Sequence, residues 1–214
     1  MDTDLHYADQ AISWSSQTLA DLVELAWDNV DQFDFLLCSM FSLFLVPLRT
    51  TTANSPEEIQ KEIIDQMVTM YTRKIPFRPF AIEKVQWAAA TCPITLTSGF
   101  PQQLIDIVTQ SPEMQNCFKV ILSVDEIDVG KPDPALYLET AKRLGVVPEK
   151  CLCLNDSPFG VLSGRRANMV VVNVPDPNFP LLPEQAKYAD LILESLKDLS
   201  KHVIAKLDRG VDRV

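Results

Sequence analysis

The stretch Cys151-Leu152-Cys153-Leu154-Asn155-Asp156-Ser157-Pro158-Phe159-Gly160-Val161 decides how this chain is read. Its four apolar residues form a run too short for a helix and bounded by a polar turn, which predicts a buried strand. Asn155-Asp156-Ser157 then breaks the run, and Pro158 opens a helix that contains Gly160 and Gly164. Strand, polar turn and helix in this order form half of a βαβ unit.

Similar units surround it. Apolar β-type runs occur at Ile94–Thr97, Lys119–Ser123, Val170–Val174 and Leu191–Leu193, with helical stretches predicted over 81–90, 102–109, 134–144, 158–167 and 183–187. Strands separated by helices at this spacing predict an α/β fold, a Rossmann-like doubly wound parallel sheet covered on both faces. Residues before Pro76 have a different texture. Apolar groups from Ile12 to Val30 recur at helical spacing, and a second helix starts with Ser55 as N-cap, Pro56 behind it and Glu58 three residues after the cap. Two domains are therefore expected: a helical subdomain over 1–75 and an α/β core over 76–214.

Composition narrows the function. The chain has 214 residues, 29 acidic against 19 basic, for a formal charge of −10. That balance argues against nucleic acid or an anionic membrane as partner, since phosphate backbones and lipid headgroups need clustered Lys and Arg. Two histidines, His6 and His202, rule out a His-rich metal site. The five cysteines are odd in number and sparse, so no disulfide framework is expected, and Cys151 and Cys153 would share one face of a strand. The uncharged run from Phe35 to Leu48 is too short to span a bilayer, and the acidic start lacks the basic region of a signal peptide. A cytoplasmic location is expected. Glycine is scarce: 6 residues, none before Gly99, where typical usage of about 7% would give roughly 15.

Ligands of open α/β sheets bind beyond the carboxyl ends of the strands, so the residues just after each apolar run are the candidates. After the first run come Ser98 and Gly99, a hydroxyl and a backbone amide that an anion can approach. After the second comes Gly130-Lys131-Pro132-Asp133-Pro134, whose lysine can meet a phosphate as a point charge. After the third, Asp156 is a hard oxygen ligand suited to Mg²⁺, with Asn155 its neutral neighbour. Taken singly, each has a plain alternative in a turn, a solvated lysine or a helix cap. Together they describe a site for a phosphate and its metal.

These motifs resemble the haloacid dehalogenase-like (HAD) hydrolases with a helical cap, which are mostly Mg²⁺-dependent phosphatases and phosphomutases. Val129–Pro134 is similar to that family's lysine motif, Leu154–Val161 to its acidic metal motif, and Ser98 to its phosphate-binding Ser/Thr. The ending Val174-Pro175-Asp176-Pro177-Asn178 resembles the pseudouridine-5′-phosphatase and sugar-phosphatase branch. The resemblance implies hydrolysis of a small phosphorylated metabolite through an aspartyl-phosphate. In it Ser98 and Gly99 hold the phosphate, Lys131 is catalytic by offsetting charge, Asp156 and Asn155 lie at the metal, and residues 9–75 correspond to the cap.

One motif of the resemblance is missing. The family's first strand ends in Asp-x-Asp-Gly, which supplies the nucleophile and the general acid–base. Here Asp2-Thr3-Asp4 is followed by Leu5 and His6 and preceded only by Met1. The central strand and its glycine are therefore expected to be absent, with Phe35–Val46 the only local run apolar enough to replace them. Arg165 and Arg166 stand where small residues are usual and are expected on an exposed face. Asn168 replaces a glycine and tolerates the left-handed conformation. Two readings follow. Either the sequence starts at an internal methionine of a longer enzyme, or it is a complete non-catalytic relative that binds a phosphate ligand or regulates a partner. Under both, these 214 residues alone are expected to be inactive and to hold Mg²⁺ weakly or not at all.

Overall fold

The computed structural model describes residues 56–127, 129–176 and 181–210. The helix expected over 9–30, the Asp2-Thr3-Asp4 triplet, the Phe35–Val46 run and the cap residue Ser55 lie outside the described residues. The chain divides into two compact units, and among the described residues the division falls within α1 (Pro56–Arg73), between Met67 and Val68. All later elements belong to the second unit.

That unit alternates helix and strand in chain order: α2 (Ala81–Ala89), β1 (Ile94–Ser98), α3 (Gln102–Thr109), β2 (Phe118–Ser123), α4 (Ala135–Leu144), β3 (Leu152–Asn155), α5 (Pro158–Arg166), β4 (Val170–Asn173), α6 (Pro183–Ala186), β5 (Leu191–Ile192) and α7 (Lys201–Gly210). The strand ladders among the described residues are parallel, as strands joined by crossover helices require. β1 pairs with β2 from Thr95 opposite Val120 to Ser98 opposite Ser123. β3 pairs with β4 from Leu152 opposite Val170 to Asn155 opposite Asn173, and β5 adds to the far edge of β4. Among the described residues no ladder joins β1 to β3, so the parallel strands stand as a pair and a triplet. No described helix is long and apolar enough to cross a membrane.

Side chains alternate across the triplet as the two-residue period of a strand demands. Leu152, Leu154, Val172 and Val174 point to one face, where Ala81 and Trp87 of α2 and Ile204 and Leu207 of α7 cover them. Cys151 and Cys153 point to the other, against Tyr137 and Ala141 of α4 and Ala167 and Met169. The expectation that the two cysteines share a face is met. Cys151 is only half-buried, Cys153 is buried, and the described cysteines are free thiols. Both faces of the triplet are thus covered by helices.

The predicted strands and helices from 81 to 193 are all present, with ends shifted by a residue or so. α7 was not predicted, although Ile204 and Leu207 are spaced to face one way and do so. Asn168 has φ of 61°, in the left-handed region, as expected for a residue replacing glycine. Arg166 is exposed, as expected, and Arg165 is half-buried. Arg165 pairs with Asp190 at 3.1 Å and Arg166 donates to the carbonyl of Pro132 at 3.3 Å, so both hold loops against α5.

α5 approaches the sheet closely because two of its residues have no side chain. A Cβ on Gly160 would lie 1.9 Å from Oδ1 of Asn155, and one on Gly164 2.9 Å from Sγ of Cys153. By contrast, the nearest atom to a Cβ on Gly130 is Cγ2 of Val124, at 3.7 Å. Asn155 is fully buried and cannot move aside. Gly160→Ala is therefore expected to lower the unfolding free energy in urea by about 2–3 kcal/mol. Gly130→Ala should change it by no more than about 0.5 kcal/mol. Equal losses in the two variants would contradict this packing.

Candidate functional site

The site lies at the carboxyl ends of β1, β3 and β4. Ser98 closes β1 and is 2% exposed. Its Oγ accepts from the amide of Phe100 at 3.1 Å, a local turn bond that fixes the rotamer and leaves the hydroxyl hydrogen available. Half-buried Gly99 follows in the same bend.

Lys131 is carried on the loop before α4 and reaches back toward β1. Only 6% of it is exposed, and its Nζ donates to the carbonyl of Thr97, next to Ser98, at 3.2 Å. The same ammonium sits 4.8 Å from the centre of the Tyr137 ring, a cation–π contact. The loop is held from several sides. Asp133 caps the start of α4 by accepting from the amide of Ala135, while Ser163 and Arg166 of α5 donate to the carbonyls of Asp133 and Pro132. A buried lysine so constrained is a placed charge, not a solvated one.

Asn155 ends β3 and organises the next turn. Its Oδ1 accepts from the amides of Asp156 and Ser157 at 3.1 and 3.3 Å and from Oγ of Ser157 at 3.2 Å, and its Nδ2 donates to the hydroxyl of Tyr137. Its backbone carbonyl accepts from the amide of Val174 and from Nδ2 of Asn173. Ser157 in turn caps α5 by accepting from the amide of Gly160 at 3.1 Å. Asn155 is expected beside the metal, and in the structure its side chain is hydrogen-bonded to the turn and to Tyr137.

The turn delivers Asp156 into the site. The residue is 1% exposed, and both carboxylate oxygens are buried without a hydrogen bond from any other described residue. Burial pushes its carboxyl up to about 6 from an ordinary 3.8; the charges of Arg78 and Lys131 oppose that rise, and Asp176 adds to it. Arg78, between α1 and α2, is the residue sequence reasoning missed. It donates to the carbonyls of Val174 and Pro175 at 3.1 and 3.0 Å, and its Nη1 stands 3.9 Å from Oδ2 of Asp156. A lone arginine flanked by Pro76 and Pro79 is a weak sequence signal, and its partners lie 96 and 97 residues away. Tyr137 was missed as well, since its partner Asn155 lies 18 residues away.

The chemistry of these donors suits Mg²⁺. A buried carboxylate with two orphaned oxygens is what a hard cation takes, and Mg²⁺ commonly uses one or two carboxylates with water and phosphate oxygens for the rest. Among the described residues no three His, Cys, Asp or Glu side chains converge, so Asp156 is the principal donor present. A separate surface groove of about 540 Å³ lies along α4, away from these strand ends. Its charges are already paired, Arg143 with Glu126 and Glu139 and Lys142 with Glu139, and it presents no orphaned group.

A family model described as haloacid dehalogenase-like hydrolase matches residues 27–168, about two thirds of the chain. The chain belongs to that family. Hexitol phosphatase B of Escherichia coli (strain K12) is 28% identical over 157 residues, covering 68% of this chain and 66% of that protein. A probable pseudouridine-5′-phosphatase of Drosophila melanogaster is 38% identical over 112 residues, covering 50% of this chain and 48% of the relative. The matched region thus spans less than two thirds of either relative. A HAD hydrolase structure, family IA variant 3, from Entamoeba histolytica HM-1:IMSS superposes with a TM-score of 0.63 at 19% identity, covering 91% of this chain and 93% of the other. That likeness establishes the fold: the HAD-like core is a doubly wound α/β sheet.

Asp156 makes the metal-free protein sensitive to pH. Its folded pKa lies above its unfolded value, so the protonated form is favoured by folding. The stability this gives is fully present below about 3.8 and is lost as pH rises through about 6. Asp156→Asn removes the charge and keeps the shape. With chelator present, the variant is expected to be more stable than the parent by about 2–3 kcal/mol at neutral pH, with the gap closing in acid. Thermal melts across that range provide the check, and a variant that is less stable throughout would refute it.

Proposed function

We propose that this chain binds the phosphoryl group of a small phosphorylated metabolite, of the sugar-phosphate or nucleoside-5′-phosphate kind, together with Mg²⁺. The orphaned carboxylate of Asp156 supports this most, because a buried anion with no hydrogen bond from another described residue needs a cation to complete it. In this reading Asp156 holds the metal, which when bound neutralises phosphate charge. Ser98 donates its free hydroxyl hydrogen, and the amide of Gly99 faces the same anion. Lys131 supplies a fixed positive charge from a dry site, where electrostatic attraction is stronger than in water. Residues 1–75 correspond to the cap that contributes substrate contacts. The names of the relatives, a hexitol phosphatase and a probable pseudouridine-5′-phosphatase, support the substrate class.

Turnover requires an attacking carboxylate as well. The sequence contains no Asp-x-Asp-Gly, and removing a covalent nucleophile lowers kcat by about 10⁶ in a serine protease. The 214 residues are therefore proposed to bind and not to hydrolyse.

Isothermal titration with vanadate in the presence of Mg²⁺ tests the binding site. Lys131→Ala is expected to weaken binding by roughly tenfold or more, and Ser98→Ala by several-fold, on the scale of about 1.5–3 kcal/mol for a charged hydrogen bond and about 1 for a neutral one. Unchanged affinity in Lys131→Ala would refute the site. Mg²⁺-dependent release of nitrophenol from nitrophenyl phosphate by the purified chain would refute the proposed lack of turnover.

A further inference from the structure

We propose that Arg78 is a built-in counter-ion for Asp156 that competes with the metal and so sets the Mg²⁺ affinity of the site. The inference rests on the reading of Asp156 as the metal carboxylate.

Arg78 is placed by a fork of two bonds. One guanidinium nitrogen donates to the carbonyl of Val174 and the other to that of Pro175, just beyond β4, and the side chain is 10% exposed. This grip needs a planar group with parallel N–H donors, which arginine has and lysine lacks. The guanidinium cannot move onto the carboxylate without releasing those carbonyls. Nη1 therefore rests 3.9 Å from Oδ2 of Asp156, near enough for Coulomb attraction and too far for a hydrogen bond.

The distance matters. A bidentate Arg–carboxylate pair would consume the lone pairs of Asp156 and exclude a metal. At 3.9 Å the arginine offsets the buried charge and leaves both oxygens free, as they are here. When Mg²⁺ binds those oxygens, it comes close to a fixed like charge. The repulsion weakens binding, and Lys131 adds to it from the β1 side. The arrangement keeps the metal-free protein folded at the expense of a looser metal site. Arg78 is a positioning residue: it touches the carboxylate's field and not the substrate.

Two variants separate charge from structure. Arg78→Gln keeps an amide donor for a carbonyl and loses the charge, whereas Arg78→Lys keeps the charge and loses the fork. Titration calorimetry with MgCl₂ alone is expected to give a Kd about tenfold tighter for Arg78→Gln than for the parent, and within about threefold of the parent for Arg78→Lys. In chelator Arg78→Gln should melt well below the parent, and saturating Mg²⁺ should raise its melting temperature more than it raises the parent's. If Arg78→Gln does not fold, the double variant with Asp156→Asn is expected to fold, because the uncompensated carboxylate is gone; its failure would overturn the proposal. Parent that binds Mg²⁺ with Arg78→Gln within twofold of it overturns this inference alone. Parent that shows no Mg²⁺ heat and no melting shift overturns the metal-site reading and this inference with it.

Discussion

The side chain and carbonyl of Asn155 join more of this structure than any other described group. Its Oδ1 gathers the amides of Asp156 and Ser157 and the hydroxyl of Ser157; its Nδ2 reaches Tyr137 on α4; and its carbonyl receives Val174 and Asn173 from β4. A buried amide satisfied on this scale is rigid, since loss of any partner strands a polar group without water. Everything around it adapts. α5 lacks a side chain at Gly160 because Asn155 fills that space, and Ser157 starts the helix because the turn presents it there.

The same turn accounts for the electrostatics. By saturating itself, Asn155 leaves Asp156 buried and without a hydrogen bond from any other described residue. An isolated carboxylate so placed would titrate out of its charged form or unfold the protein unless cations faced it. Two do: Lys131, threaded past the Tyr137 ring to the Thr97 carbonyl, and Arg78, clamped to the end of β4. As a neutral amide, Asn155 adds no second negative charge beside that buried acid.

Much of this was legible in the chain. Five apolar runs with helices between them became five parallel strands because period and length constrain the backbone locally. Ser98, Lys131 and Asp156 could be named because strand ends are where such a sheet opens, a consequence of topology alone. Asn155 is expected at the metal from its place in the motif; its bonds to Asp156 and Ser157 are local, whereas its bond to Tyr137, 18 residues away, is visible only in the structure.

The sequence by itself determined the fold class and the family, because each depends on short-range pattern. It also established that no Asp-x-Asp-Gly is written in these 214 residues. Tertiary structure alone decided which polar groups satisfy one another and which are left for a ligand. Arg78 finds its carbonyls 96 and 97 residues downstream, and Arg165 and Arg166 close loops that a helix pattern shows only as charge. Hydrogen-bond satisfaction is a property of packed neighbours, so it appears only when distant segments are brought together.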